Sequence, residues 1–300
     1  MKVENINCAS YLIKHVSGVA VLLCLTLSSR ATNAETLEVK LPSGITAFAS
    51  YHQGLPAKPA VLIFPGFLQT NQSLPMNALA HNLSSKGYTV LSPTISLGVN
   101  KRSQSMACEA VQTHTMTEEI AEVDYWVKWL LKKGYKSIVP VGFSSSSNIA
   151  VLLYSAQAAR PEIKRVILTS LNPVHSEAAE RKKVRTASEF RKLAESNEIG
   201  EYSLGYCKNN FAATTASYLS YAQYDENKIL QLIGQTSVPV DVILGSADTI
   251  LPANWPVKLK TLKSSPRIVI IDNANHFFDG TNEFDLADAV ANILHNILAQ

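Results

Sequence analysis

The stretch Val141-Gly142-Phe143-Ser144-Ser145-Ser146 stands between an apolar run and a segment with helical periodicity. A serine hydroxyl is an effective nucleophile only when it is held exposed beside a base. A sharp strand-to-helix turn holds it so, and brings the residues two before and two after the serine close together, so both must be small. Gly142 and Ser146 meet that condition around Ser144. The stretch therefore predicts a nucleophile at Ser144.

The same stretch departs from the usual pattern in two ways. Ser146 stands where the usual motif has glycine, and Pro140 lies inside the predicted strand. Proline removes a ladder donor, so a bulge or local irregularity is expected there. A turn centred on Ser145 would place Phe143 at a position that must be small. A serine-rich helix start without catalysis is the alternative interpretation.

A base is expected on a loop after a later strand. The apolar run Ile268 to Ile271 leads into a loop of residues 272–278 that holds His276. His114 and His175 also lie on predicted loops, but both precede the expected acid in the chain. This position favours His276 as the base.

The orienting carboxylate is expected in the loop after the preceding strand. Val240 to Leu244 leads into a loop with Asp248 at the carboxyl end of the strand, where sites in such sheets are built. Asp241 lies at the wrong end of the strand, and Asp272 lies too near His276 in the sequence to be the usual choice. An Asx turn is the alternative role for Asp248.

The chain order Ser144, Asp248, His276 is the order expected for a nucleophile, an acid and a base on this type of sheet. In such a triad His276 takes the proton from Ser144 and later returns it to the leaving group. Asp248 fixes the imidazole tautomer and stabilises its charged form.

Acyl transfer also needs hydrogen-bond donors for the developing oxyanion. The backbone amide of Ser145, at the start of its helix, is one candidate. The other comes from the loop after the strand that ends at Phe64. Pro65 has no amide hydrogen, so the amide of Phe67 is predicted, with that of Leu68 as the adjacent alternative.

The rest of the chain alternates short apolar runs with longer helical ones, which favours a mostly parallel sheet. The predicted strands span 36–41, 45–50, 61–64, 88–91, 137–141, 165–169, 238–244 and 267–271. The predicted helices span 74–86, 117–133, 145–159 and 253–263, with a last one from about residue 283. The 117–133 helix is expected to be capped by Thr117.

Residues 175–236 interrupt this alternation. Their first part, Glu177 to Glu195, is charged and helical, and the part from Tyr202 to Tyr224 is rich in tyrosine. We expect a helical cap above the sheet. The basic run at residues 181–185 is interpreted as a solvated helix face, because acidic residues balance it.

These motifs resemble those of the α/β-hydrolase superfamily over nearly all of residues 36–300. The segments that carry the resemblance are Phe64-Pro65-Gly66-Phe67, Gly142-Phe143-Ser144-Ser145-Ser146, Gly245-Ser246-Ala247-Asp248 and Asn275-His276-Phe277-Phe278. The resemblance implies an α/β fold with an eight-stranded sheet flanked by helices and a helical cap. It also implies hydrolysis without a metal or an organic cofactor.

A serine hydrolase that cleaves a carboxylic ester through an acyl-enzyme is the favoured function. Phe67, Phe143 and Phe277 are predicted to line an apolar pocket for a small-molecule acyl substrate, with Phe278 and the cap tyrosines nearby. Thioesters, small amides or peptides, and acyl transfer to an alcohol remain open. A binding protein that has the fold without catalysis is the second hypothesis.

Residues 1–34 are typical of a cleaved secretory signal: Lys2 and Lys14 precede the apolar run Val16 to Leu27, and Ala34 ends a small-residue cleavage site. Export to a periplasm or the medium follows. Two cysteines remain, Cys108 and Cys207, and an oxidising compartment makes them candidates for a disulfide, with two unrelated thiols as the alternative.

Composition limits the partners. The chain of 300 residues has 46% hydrophobic residues and a net charge of +3, and loss of residues 1–34 leaves 24 basic and 23 acidic residues. A near-neutral chain gives no electrostatic argument for nucleic acid or for an anionic membrane.

Overall fold

The computed structural model describes residues 34–157, 160–174, 192 and 198–298. The larger sheet in this part of the chain has eight strands, as predicted from the sequence, and two further strands pair with each other. In chain order the strands are β1 (Glu35–Lys40), β2 (Thr46–His52), β3 (Ala60–Phe64), β4 (Thr89–Pro93), β5 (Ile138–Phe143), β6 (Val166–Thr169), β7 (Ile199–Leu204), β8 (Cys207–Thr214), β9 (Val240–Gly245) and β10 (Arg267–Ile271).

The order of strands in the larger sheet is β1-β2-β4-β3-β5-β6-β9-β10. The first two strands are antiparallel to their neighbours, and every pair from β4 to β10 is parallel. The carboxyl ends of the six parallel strands therefore share one edge of the sheet, and their amino ends share the opposite edge. Loops at the carboxyl edge are where ligand sites form in such sheets.

Helices cover both faces of the sheet. Within the described ranges these are α1 (Met76–Ser85), α2 (Met116–Lys132), α3 (Ser146–Ala156), α4 (Thr215–Ala222), α5 (Glu226–Gln235), α6 (Trp255–Lys260) and α7 (Asn282–Leu298). Alternate strand residues face opposite sides, so Leu62 and Phe64 join one apolar core with α2 and α3, while Val61 and Ile63 join the other with α1 and α7. This two-sided burial explains the continuous apolar run of β3.

The tyrosine-rich part of the insertion differs from the prediction. Residues 199–214 form the antiparallel hairpin β7–β8. The helices α4 and α5 come after the hairpin. Exposed and half-buried residues alternate over residues 199–202 of β7, and the strand then ends in two buried residues, so its period-two signal is short. The helix predicted at Glu177–Glu195 lies outside the described residues.

Helix α2 begins at Met116, one residue before the predicted start, and its N-cap is Thr115 rather than Thr117. Thr115 precedes the helix, and its backbone amide donates to the Glu118 carboxylate over 2.7 Å. The spacing of three residues between these two side chains is that of a capping box. The capping role assigned to Thr117 is therefore wrong.

The irregularity expected at Pro140 is present, but on the neighbouring strand. Pro140 stays in register with Leu62 of β3. On its other side, Ile138 is opposite Ile163, while Val141 is opposite Ile167. The segment before β6 thus contains one more residue than β5 across this interval, which accommodates the missing donor of the proline.

A disulfide between Cys108 and Cys207 joins the β7–β8 hairpin to the loop before α2. Three backbone hydrogen bonds of 2.8–2.9 Å reinforce this connection, linking Cys108 and Gln112 of the loop with Ala212 and Thr214 of β8. The hairpin is therefore anchored to the body of the molecule both covalently and by main-chain pairing.

The proposed signal segment lies outside the described residues except for Ala34. Within the part of the chain that is described, no helix combines the length and the apolar character that crossing a bilayer requires.

Candidate active site

Ser144 occupies a strained turn between β5 and α3. Its φ of 62° lies in the left-handed region, which costs a non-glycine residue energy and is typical of functional turns. A Cβ added to Gly142 would lie 2.9 Å from the backbone nitrogen of Asn148. The predicted need for a small residue at position 142 is thus confirmed, but the close neighbour is Asn148 rather than Ser146.

The hydroxyl of Ser144 contacts His276, and His276 contacts Asp248. Ser144 Oγ lies 2.9 Å from His276 Nε2, and His276 Nδ1 lies 2.8 Å from Asp248 Oδ2. Both the imidazole and the carboxylate are almost completely buried, at 5% and 0% side-chain exposure. The structure therefore brings together the three side chains that the sequence selected, in the sequence of contacts expected for a triad.

The loops that carry Asp248 and His276 pack against each other. A Cβ on Gly245 would lie 2.2 Å from the carbonyl oxygen of Ala274, so only glycine permits this approach. The Ala247 amide donates to that same carbonyl over 2.9 Å. Ser170, after β6, donates its hydroxyl to the His276 carbonyl over 2.6 Å. The loop after β9 and the residue after β6 thus both fix the loop that carries the imidazole.

The competing residues lie elsewhere. His114 is buried beside Glu119, Asp272 is exposed, and Asp241 forms ion pairs with Arg165 and Arg267. His175 lies outside the described residues.

A cavity of about 370 Å³ opens over Ser144. The predicted residues Phe67, Phe143 and Phe277 line it, together with Gly66 of the Phe67 loop and a set that the sequence did not select: Gln69, Asn172, Gly205, Lys208 and Ile250. Phe278, expected nearby, does not line the cavity, and its side chain is fully buried in the core with α1 and α7. Of the cap tyrosines, Tyr206 lines the cavity.

The two predicted oxyanion donors belong to residues of this cavity, Phe67 and Ser145. The buried side chain of Arg102 supports the loop that contains Phe67. This guanidinium donates to the carbonyl of Leu68 over 3.3 Å and to that of Gln69 over 2.7 Å. Arg102 therefore fixes the backbone that presents the Phe67 amide.

Three residues of the cavity escaped the sequence analysis. Asn172 is buried, and its Oδ1 lies 3.3 Å from Ser144 Oγ. Gln69 has a buried Oε1 without a hydrogen-bond partner among the described residues. Lys208 is the one lysine or arginine in this lining. Only one feature of the sequence could have pointed to these three residues: each has a polar side chain that lies shortly after a predicted strand or beside a cysteine of the predicted disulfide.

A buried polar cluster lies behind Phe67. The ring centroid of Tyr221 is 6.2 Å from that of Phe67, and the Tyr221 hydroxyl donates to Glu119 Oε1 over 2.6 Å. Burial raises the pKa of Glu119 to about 7 and that of Glu122 to about 6. Burial, reinforced by the nearby charge of Arg102, lowers the pKa of His114 to about 3.

In the described part of the chain, no three His, Cys, Asp or Glu side chains group as a metal site requires.

Comparison with solved structures identifies the fold. Est1E from Butyrivibrio proteoclasticus with ferulic acid bound superposes with a TM-score of 0.64 at 17% identity, over 88% of this chain and 100% of that one. The α/β hydrolase GrgF from Penicillium sp. sh18 superposes with a TM-score of 0.64 at 14% identity, over 89% and 98%. The chain has the α/β-hydrolase fold.

A third protein with the α/β-hydrolase fold is the thioesterase domain from the curacin biosynthetic pathway, with a TM-score of 0.58 at 15% identity over 87% of this chain and 99% of that one. No family model matches the sequence, and no curated protein matches it. Because the identities are this low, the likeness establishes the α/β-hydrolase fold alone.

Proposed function

We propose that the protein is a serine hydrolase that cleaves a carboxylic-ester-type acyl bond. The observation that carries this proposal is the continuous hydrogen-bonded chain Ser144–His276–Asp248 at the floor of an open, largely apolar cavity. The strained φ of Ser144 supports it, because strain of this kind is retained where it positions a reacting group.

The proposed reaction has two halves. Ser144 Oγ attacks the carbonyl carbon while His276 Nε2 takes its proton, and the resulting oxyanion accepts hydrogen bonds from the amides of Phe67 and Ser145. The bond to the leaving oxygen then breaks, and that oxygen takes the proton from His276. A water molecule, deprotonated by His276, attacks the acyl-enzyme and releases the acid and free Ser144.

The cavity supports an aromatic or short apolar acyl group. Phe67, Phe143, Phe277 and Tyr206 surround its volume of about 370 Å³, which is the range of small-molecule sites. Est1E, with ferulic acid bound, shows that a protein of this fold accommodates an aromatic acid. Thioesters, small amides and acyl transfer to an alcohol use the same triad and are the alternatives, and the thioesterase domain named above motivates the first of them.

The second hypothesis, a binding protein without catalysis, accounts poorly for the site. It gives no reason for a serine held at positive φ and within 2.9 Å of a buried histidine. Export is part of the proposal, supported by the Cys108–Cys207 disulfide, since such bonds persist in oxidising compartments.

A fluorophosphonate probe tests the proposal directly. We expect the full chain to be labelled at Ser144, located by mass spectrometry, and we expect Ser144→Ala and His276→Ala to abolish labelling. Ser146→Ala is the matched control, because it removes a neighbouring hydroxyl outside the proposed triad. Absence of labelling in folded wild-type protein would overturn the proposal.

A further inference from the structure

A second cavity in the described chain, larger than the one over Ser144, lies away from that residue. It is a groove of about 630 Å³ lined by residues that include Pro59, Ser137 and Arg165. These three residues immediately precede β3, β5 and β6, so the groove lies at the amino edge of the parallel strands. Ser144 follows the carboxyl end of β5, and five or six residues of strand separate the two edges by roughly 17–20 Å. A ligand in the groove therefore does not touch the triad.

The groove is strongly basic. Five cationic side chains line it, and no aspartate or glutamate does: Lys58, Lys133, Lys136, Lys164 and Arg165. The whole chain has a net charge of only +3, so the remainder of the molecule is net negative. The near-neutral composition thus conceals a segregation of charge. Glu162 is close in sequence to Lys164, but it does not line the groove.

Neutral groups, rather than carboxylates, position several of these lysines. The ammonium of Lys58 donates to the Lys86 carbonyl over 2.6 Å and lies 4.5 Å from the centre of the Tyr88 ring. The ammonium of Lys164 donates to the Pro161 carbonyl over 2.6 Å. These contacts restrict the side chains and leave their charge uncompensated, which favours binding of an anion.

The arginine of the groove is only partly neutralised. Arg165 Nη1 lies 2.8 Å from Asp241 Oδ2, but the same carboxylate lies 2.5 Å from Arg267 Nε through its other oxygen. One buried carboxylate thus serves two guanidinium groups. For Lys136, the described residues provide no ion-pair or hydrogen-bond partner.

We propose that this groove is a second binding site, for a soluble ligand that carries several phosphate or sulfate groups. The charge count matches a multiply charged anion better than a single carboxylate, and the volume is that of a small-molecule site. The site is independent of the proposed hydrolase activity, because it shares no residue with the cavity over Ser144.

Calorimetric titration of the full chain with inorganic tripolyphosphate tests this site. Binding is expected to weaken as the salt concentration rises. The variant Lys58→Gln/Lys136→Gln/Lys164→Gln is expected to lose about tenfold or more in affinity, equivalent to about 1.4 kcal/mol. The matched control Lys40→Gln/Lys260→Gln/Lys263→Gln removes the same charge from exposed lysines outside the groove and is expected to bind within about twofold of the wild type.

Two further measurements complete the test: one checks that the groove variant is folded, and the other distinguishes a soluble ligand from a lipid headgroup. Fluorophosphonate labelling or far-ultraviolet circular dichroism equal to that of the wild type shows that the groove variant is folded. Sedimentation with phosphatidylglycerol vesicles, against phosphatidylcholine vesicles, tests a lipid source of the same phosphate chemistry. Equal tripolyphosphate affinity in both triple variants, or binding to vesicles without binding of tripolyphosphate, would overturn the proposal.

Discussion

Asp248 uses its two carboxylate oxygens for different purposes. Oδ2 contacts His276 Nδ1 over 2.8 Å, while Oδ1 accepts from the Ile250 amide over 2.9 Å. The second bond is the Asx turn that was the alternative role for this residue. The Asx turn and the contact with the imidazole therefore coexist, and the turn fixes the carboxylate that the proposed triad requires.

This arrangement makes Asp248→Asn a sharp test of the triad. The amide oxygen can keep the turn, but the amide nitrogen then faces His276 Nδ1 and favours the tautomer that cannot accept the Ser144 proton. We expect kcat for a p-nitrophenyl ester to fall by roughly 10³–10⁴-fold. Asp272→Asn, exposed and only four residues from His276, is the control and should remain near wild-type activity. Equal losses in both variants would contradict the assignment.

Lys208 leads to a prediction about substrate charge. Among the described residues it is the only lysine or arginine that lines the cavity over Ser144, so an ester with a carboxylate on its acyl group gains an attraction of roughly 1 kcal/mol at the cavity mouth. We expect Lys208→Gln to lower kcat/KM for such an ester by about fivefold and to leave a neutral isostere unchanged. Lys260→Gln is the control. A uniform loss on both esters would indicate a structural effect instead.

At the scale of single residues, the sequence predicted the site residues that belong to a recognisable motif. It missed the site residues that lie outside any motif. Ser144, Asp248 and His276 follow strands in a recognisable order. Asn172 also follows a strand, and its Oδ1 lies 3.3 Å from Ser144 Oγ. Nothing in its neighbourhood distinguishes it from other polar loop residues, because its role depends on the distance between two strands that only the folded sheet sets.

At the scale of elements, helix α2 carries an unusual buried acid. Glu119 accepts the Tyr221 hydroxyl and has Glu122, Arg102 and His114 near it. Its pKa, raised by burial to about 7, means that the folded protein holds a proton that the unfolded chain releases at lower pH. The stabilising contribution of this proton is complete below pH of about 4.5 and is lost as the pH rises through about 7.

The substitution Glu119→Gln isolates the contribution of the Glu119 proton to the free energy of unfolding. The amide keeps an acceptor for Tyr221 and cannot ionise, so the variant should exceed the wild type in free energy of unfolding by about 1–3 kcal/mol at pH 8, with little gain at pH 5. Denaturant unfolding at both pH values measures this difference. The lowered pKa of His114 gives stability the opposite pH dependence. Because His114 is present in the wild type and in the variant, this effect cancels when the two are compared.

Glu201→Gln on β7 is the matched control, because Glu201 is exposed. Its effect should be within about 0.5 kcal/mol at both pH values. A Glu119→Gln variant that loses stability at pH 8 would show that the carboxylate is ionised and favourably paired.

Some of the secondary-structure elements have strong local sequence signals, and others do not. All eight strands of the sheet were predicted, because buried parallel strands read as continuous apolar runs bounded by turns. The β7–β8 hairpin was taken for helix. It packs against the rest of the cap and the loop before α2, and tertiary pairing of this kind overrides a weak local pattern.

At the scale of the whole molecule, the disulfide closes a loop of 99 residues in sequence. Removing such a cross-link raises the entropy of the unfolded chain, with a typical cost of about 2–4 kcal/mol. We expect Cys108→Ala/Cys207→Ala to lose this amount in denaturant unfolding. Because Lys208 and Tyr206 flank Cys207, KM should rise more than kcat falls.

Reductant supplies the control for this prediction. Dithiothreitol should destabilise the wild type to about the level of the double variant and leave the variant itself unchanged. A double variant as stable as the wild type would indicate that the main-chain bonds between Gln112 and β8 are sufficient to hold the hairpin.

The anchored hairpin also bears on how proteins of this architecture diversify. Its tip, Gly205-Tyr206, faces the cavity, while its base is tied by Cys207 and by pairing with Gln112. Insertions or exchanges at the tip would reshape the cavity wall without moving β5, β9 or β10. In the proposed hydrolase, a few substitutions at the hairpin tip would therefore change the accepted substrate, while the strands that lead to Ser144, Asp248 and His276 stay in place.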